Sequence, residues 1–176
     1  TVKNTKGTVT KKYGDKVFYI GAKAKGGLTY KSSNTKVATV GSKGKVTIKG
    51  TGAVRITMTA KATSTYKAAT RDLVIKVAKK TPSITTKISS KAISYNTLKK
   101  KSQVFTLGTS VASKGTLTFK KLSGTSAITV NSKTGKFTVK KGLKKGTYRV
   151  KVQIKSAAKG NYNAASRTMT VTVKVK

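Results

Sequence analysis

The sequence predicts an all-β protein made of two tandem β-sandwich domains, spanning residues 1–79 and 80–176. Three observations carry this prediction. Ser32 to Ala60 consists of three short alternating runs punctuated by glycines, a diluted copy of that stretch returns about ninety residues later, and the one proline, Pro82, sits where the first copy ends. Short strands at regular spacing with turn residues between them favour a sandwich over a helical or α/β fold.

In chain order, Lys12–Tyr13–Gly14–Asp15 reads as a turn, and Val17, Phe18, Tyr19 and Ile20 as a short buried strand. Leu28–Thr29–Tyr30 opens the next strand. Val37 to Val40 leads into a turn from Gly41 to Gly44, and Lys45–Val46–Thr47–Ile48–Lys49 then alternates strictly, giving one apolar and one cationic face. After Gly50 and Gly52, Val54, Ile56 and Met58 point one way while Arg55, Thr57 and Thr59 point the other. The loop 61–70 precedes a closing strand built on Leu73, Ile75 and Val77.

The second unit opens with a looser segment, Ile84 to Lys101, that includes the run Lys99–Lys100–Lys101, and strands resume at Val104 to Leu107. From there the two units align. Leu28 and Tyr30 match Leu117 and Phe119, Val40 matches Val130, and Gly44 to Ile48 match Gly135 to Val139. Tyr66–Lys67–Ala68–Ala69 matches Tyr162–Asn163–Ala164–Ala165, and Arg71 matches Arg167. Tyr148 to Lys155 and Met169 to Lys176 alternate as closing strands. Small insertions between matched segments belong in loops, which absorb them while the apolar pattern persists.

Charge is the other dominant feature. The chain carries 40 Lys+Arg against 2 Asp+Glu, a formal charge of +38, and lysines outnumber arginines 36 to 4. A compact monomer of this mass would have roughly 8,000 Å² of surface, which spaces the cations roughly 14 Å apart, beyond the roughly 8 Å screening length at physiological salt. The fold therefore withstands its own repulsion in saline and should loosen as salt is removed. With no histidine, the charge hardly changes between about pH 5 and pH 9, which excludes a pH switch. There is no cysteine, hence no disulfide, thiol nucleophile or thiolate metal site. No 18-residue apolar run exists to span a membrane. Beginning at Thr1, without an apolar leader, the chain reads as a mature product or a piece of a longer protein.

The stretch SSNTKVATVGSKGKVTIKGTGAVRITMTA resembles the bacterial immunoglobulin-like group 2 module. That module shows a Ser-Ser-Asn segment, a Val-Ala-Thr-Val strand, a Gly-Lys-Val strand and a Gly-Thr-Ala-like turn, and Gly14–Asp15 fits its early Gly-Asp turn. In the second unit Val-Ala-Thr-Val becomes Ala127–Ile128–Thr129–Val130, and Ser-Ser-Asn becomes Leu122–Ser123–Gly124–Thr125. Residues 131–136 and 140–148 also resemble lysine-rich repeats of secreted and wall-attached proteins of Gram-positive bacteria. The resemblance implies two immunoglobulin-like sandwiches in an extracellular, cell-surface setting such as an adhesin or stalk, with no shared catalytic site.

The residues themselves argue against catalysis. General acid–base chemistry draws on a tunable His or carboxylate, and only Asp15, in a turn, and Asp72, beside Arg71, are present. Neither a zinc site nor an oxygen cage for calcium can be assembled from this set, so no metal or cofactor is expected. Ser33 to Lys36 and Ser42 to Lys45 match S-x-x-K, and Lys133–Thr134–Gly135 matches K-T-G, but in β turns and without the third penicillin-binding element. A self-formed Lys–Asn isopeptide needs a buried carboxylate, for which Asp72 is the one candidate.

The near-exclusion of acidic residues points instead to a polyanion, bound through counterion release. Lysine, a hydrated point charge, favours diffuse adherence over the bidentate readout that arginine supplies. The candidate residues are Lys45, Lys49, Lys99, Lys100, Lys101, Lys140, Lys141, Lys144, Lys145, Arg149, Lys151 and Lys155, with Tyr66 and Tyr162 either as stacking platforms or as structural corner tyrosines. The candidate partners are wall teichoic acid, an acidic host glycan or extracellular DNA, and non-specific nucleic-acid binding is expected in vitro. The alternative is a passive stalk whose lysines form a solvated face and protect sheet edges.

Overall fold

The computed structural model describes residues 7–176, so the first six residues of the expected first domain lie outside it. The chain divides into two compact units, Thr1–Lys80 and Thr81–Lys176. Each is an all-β immunoglobulin-like sandwich.

In the first unit the strands are β1 (Thr8–Lys12), β2 (Phe18–Tyr19), β3 (Leu28–Ser32), β4 (Ala38–Val40), β5 (Lys45–Ile48), β6 (Gly52–Ala60) and β7 (Ala69–Ala78). They form a four-stranded sheet in the order β1-β7-β6-β3 and a three-stranded sheet in the order β2-β5-β4. The alternation in β6 decides which face is covered: Val54, Ile56, Met58 and Ala60 are buried, and they meet Leu73, Ile75 and Val77 of β7 and Val37, Ala38 and Val46 from the facing sheet. Each fully buried large apolar side chain here stabilises by about 1.5–3 kcal/mol. β1 lies parallel to β7, Thr8 opposite Val74 and Lys12 opposite Ala78, whereas β6 and β7 are antiparallel from Gly52–Val77 to Ala60–Ala69.

The expected buried run at Val17 to Ile20 is corrected. Only Phe18 and Tyr19 are strand; Val17 and Tyr19 are 47% and 62% exposed, while Phe18 and Ile20 pack partly against the core. β2 is an edge strand of two residues, paired among the described residues with β5, and Tyr19 stands on its outward face.

The second unit contains β8 (Ile84–Thr86), β9 (Ser90–Ile93), α1 (Tyr95–Lys100), β10 (Gln103–Phe105), β11 (Thr109–Val111), β12 (Leu117–Ser123), β13 (Ile128–Val130), β14 (Phe137–Val139), β15 (Gly146–Ser156) and β16 (Ala165–Val175). Its sheets repeat those of the first unit: β9-β16-β15-β12 corresponds to β1-β7-β6-β3, and β10-β14-β13 to β2-β5-β4, with β8 and β11 added as a separate pair. The core includes Phe105 stacked on Phe137 with ring centroids 4.9 Å apart. The segment read as loose, Ile84 to Lys101, is in fact two strands and a one-and-a-half-turn helix. Leu98 holds that helix to the core, and β9 joins the sheet parallel to β16.

One contact recurs in both units. Gly44 and Gly135, in the turns before β5 and β14, have φ of +70° and +66°, a region that costs other L-residues roughly 1–2 kcal/mol. A Cβ on Gly44 would stand 3.0 Å from the Tyr30 ring, and one on Gly135 would stand 2.5 Å from Phe119. The aromatic of β3 or β12 therefore closes over a glycine that must be both left-handed and bare. Gly142 shares the left-handed φ, at +80°, but faces open space. Gly135→Ala should cost about 2–4 kcal/mol and Gly142→Ala about 1–2 kcal/mol in urea unfolding, the difference being the clash with Phe119.

Candidate functional site

The twelve cationic candidates are all exposed, but they fall into three separate groups. Lys45 opens β5 in the first unit and Lys49 directly follows it. Arg149, Lys151 and Lys155 stand on the outward face of β15, and register sets them beside Thr172, Thr170 and Ser166 of β16. That row alternates cations with hydroxyls across two strands. The equivalent face of the first unit is partly neutralised: Arg55 Nε lies 3.5 Å from Asp72, and the Thr57 hydroxyl donates to Asp72 at 2.7 Å. Residues 81–176 contain 21 cations and no carboxylate.

The third group is assembled by tertiary structure from two runs some forty residues apart in sequence. α1 carries Lys99 and Lys100 in its last turn, where cations complement the helix dipole, and Lys101 follows as its C-terminal cap. The loop after β14 docks on this helix: Gly142 N–H donates to the Leu98 carbonyl at 3.1 Å, and Lys141 N–H donates to Ser102 Oγ at 3.0 Å. Lys140, Lys141, Lys144 and Lys145 are thereby set beside Lys99, Lys100 and Lys101. Tyr95 N–H donates to the Lys176 carbonyl at 2.6 Å, which adds the chain's last residue to the same end. The Tyr95 ring, half-buried, underlies the cluster, with Lys99 Nζ 4.9 Å and Lys145 Nζ 6.0 Å from its centroid. Such contacts are worth about 0.5–1 kcal/mol at exposed positions. The Tyr148 hydroxyl fixes the loop by donating to the Lys144 carbonyl at 2.9 Å. We call this array the lysine cap.

The two tyrosine candidates differ. Tyr66 keeps 50% of its surface exposed and lines a groove of the first unit, whereas Tyr162 is half-buried, its backbone bridged to Lys159. Of the carboxylates, Asp15 accepts from Lys12 N–H at 2.8 Å within its turn, as expected. Asp72 has a side chain 44% exposed and forms its ion pair across the strands with Arg55, so the buried environment that an isopeptide catalyst needs does not exist there. Among the described residues no group of three His, Cys, Asp or Glu is placed to hold a metal ion.

One functional substitution was hidden in the sequence. In the first unit Ser32 Oγ donates to the Ala38 carbonyl at 2.7 Å, organising the Ser-Ser-Asn turn. Its structural equivalent in the second unit is Lys121, whose Nζ donates to the Ile128 carbonyl at 2.7 Å and also to that of Thr125. Lys121 is thus a structural lysine, withdrawn from the cationic surface. Its hydrogen bonds, and not its place in the strand, set it apart from the other lysines.

Residues 19–63 match the family described as "Intimin, immunoglobulin-like domain". This segment runs from β2 through β6, and it makes that part of the chain similar to an adhesin-type immunoglobulin-like domain. No curated protein matches the chain in sequence. Among solved structures, a human protocadherin-24 EC1-2 fragment aligns at 15% identity and a TM-score of 0.48, covering 97% of this chain and 94% of that one. A chicken VE-cadherin EC1-2 fragment aligns at 14% identity and a TM-score of 0.42, covering 97% and 98%. No helix among the described residues is long and apolar enough to cross a membrane.

Leu98 is fully buried and is the side chain that ties α1 to the core. Leu98→Ala should lower the stability of the second unit by about 2–5 kcal/mol. It should also lower the salt concentration that elutes the protein from an anionic resin, by releasing three of the cap lysines from their loop. Replacing Lys99, Lys100 and Lys101 by Gln should change elution while lowering stability in urea by at most about 1 kcal/mol.

Proposed function

We propose that this chain is a non-catalytic bacterial surface or secreted module that binds an anionic polymer by diffuse electrostatics, with the lysine cap as its densest contact. The observation that carries this reading is the cap itself: two lysine runs distant in sequence converge around Tyr95, in a unit without a single acidic side chain. Solubility asks for a net charge of about 2–8 in a small domain, far below +38. A concentrated cationic surface raises the local concentration of polyanions and binds them through counterion release. The preponderance of lysine over arginine favours charge density over sequence readout.

The resemblance of the first unit to bacterial immunoglobulin-like group 2 modules, together with the intimin-type match, supports an extracellular setting, and the lysine-rich repeats support a Gram-positive one. Wall teichoic acid fits that setting best, with an acidic host glycan or extracellular DNA as the other polymers of this class. The competing reading is a spacer within a larger adhesin. It is favoured by the cations outside the cap, which are spread over outward strand faces in both units.

Retention on an anionic wall preparation should collapse between about 50 and 500 mM salt, with log affinity linear in log salt. Replacing Lys99, Lys100, Lys101, Lys140, Lys141, Lys144 and Lys145 by Gln should abolish that retention and flatten its salt dependence, because the contact is lost with the cap. A wild-type protein that fails to bind even at low salt would leave the spacer reading in place. A slope falling only in proportion to the cations removed would assign binding to the whole surface instead.

A further inference from the structure

The groove holding Tyr66 lies in the first unit and is separate from the lysine cap. It encloses about 390 Å³, and its walls include Lys23, Lys25, Lys61 and Lys67 around the Tyr66 ring, with no carboxylate among its lining residues. Two local devices build it. Thr63 Oγ accepts from the N–H groups of Thr65 and Tyr66, at 3.4 and 3.1 Å, while Thr63 N–H donates to the Tyr66 carbonyl at 2.8 Å. This closed turn presents a ring that remains half exposed. On the opposite wall, Lys61 N–H donates to the Gly27 carbonyl at 3.0 Å, and Gly26 passes so close that a Cβ there would lie 2.2 Å from the Lys61 carbonyl oxygen. The two lysine-bearing loops are therefore locked together.

The second unit supplies an internal control. Gly115 makes the same close approach, its Cβ position 2.2 Å from the Ala157 carbonyl, and Ala157 N–H donates to the Thr116 carbonyl at 2.9 Å. The scaffold is retained, and Lys25 has a counterpart in Lys114, yet the positions of Lys23, Lys61 and Lys67 are occupied by Ala112, Ala157 and Asn163, and Tyr162 is half-buried. Three of the four cations and the open ring are thus features of this groove and not of the fold.

We propose that the Tyr66 groove is a subsite for one sugar ring bearing two or more sulfate or carboxylate groups, stacked by its C–H face on Tyr66 and held by the surrounding lysines. Its size suits a small ligand. Four lysines lining a groove with one exposed aromatic ring match a sugar ring with several anionic substituents better than a nucleotide, which brings one phosphate for each base that it stacks. Each lysine acts as a point donor to a sulfate or carboxylate oxygen, a role that needs no bidentate geometry. This deepens the polyanion reading and rests on it for the class of polymer.

The test is calorimetric titration at about 50 mM salt with a multiply sulfated uronate–glucosamine disaccharide, alongside a thymidine oligonucleotide of equal charge. The Tyr66 ring resonances are followed in parallel, and retention on long wall polymer is measured for the same proteins. Tyr66→Ala should weaken disaccharide binding by about tenfold and Tyr66→Phe by less than about twofold, because the ring face and not the hydroxyl makes the contact. Lys61→Gln with Lys67→Gln should weaken it as well, whereas the seven-lysine cap variant should leave it unchanged. Absent binding of the disaccharide, equal binding by Tyr66→Ala, or equally Tyr66-dependent binding of the oligonucleotide would each overturn the subsite. Retention on the long polymer decides the broader function separately: if it persists in those cases, only the subsite falls.

Discussion

Everything in this molecule depends on burying one face of every strand strongly enough to hold together a chain whose outer surface repels itself. With two carboxylates against 40 cations, ion pairing cannot contribute much, and the Arg55–Asp72 pair is exposed, where such pairs are worth at most about 1 kcal/mol. Stability rests on two apolar cores, one centred on Ile56, Met58 and Ile75 and the other on Phe137, Ile154 and Val173.

This constraint explains why the fold was so legible. Lys45 to Ile48, Val54 to Ala60 and Tyr148 to Lys155 alternate because cations can occupy only the outward half of each strand, and the same pressure preserved the pattern in both copies. Legibility failed where side chains face solvent on both sides or where contacts are remote. Val17 and Tyr19 look apolar enough for a core, yet Val17 precedes the edge strand β2 and Tyr19 faces outward from it. Tyr95 to Lys100 shows no helical periodicity over six residues and is helical because Leu98 is anchored and the chain's last carbonyl receives the Tyr95 N–H.

The candidate site was legible as a list of cations but not as a place. Lys99 to Lys101 and Lys140 to Lys145 appear in the sequence as two unrelated runs, and only the docking of Gly142 and Lys141 on the helix joins them. Conversely, Lys121 looks like any other surface lysine, yet it replaces a serine hydroxyl in organising a turn. Tyr66 and Tyr162 occupy matching positions and differ in exposure, a difference set by the residues around each loop and not by the tyrosines themselves.

The parallel pairing of β1 with β7 and of β9 with β16 has a mechanical consequence. In a parallel terminal pair the chain enters at one end of the ladder and leaves at the other, so tension applied along the polypeptide loads all the rungs of that ladder together in shear instead of peeling them one at a time. Among the described residues the first unit's ladder has five paired positions and the second unit's has four. In the second unit the three-position antiparallel pair of β8 with β11 lies ahead of β9, so a pull from the amino-terminal side would meet that short pair before it reached the parallel ladder.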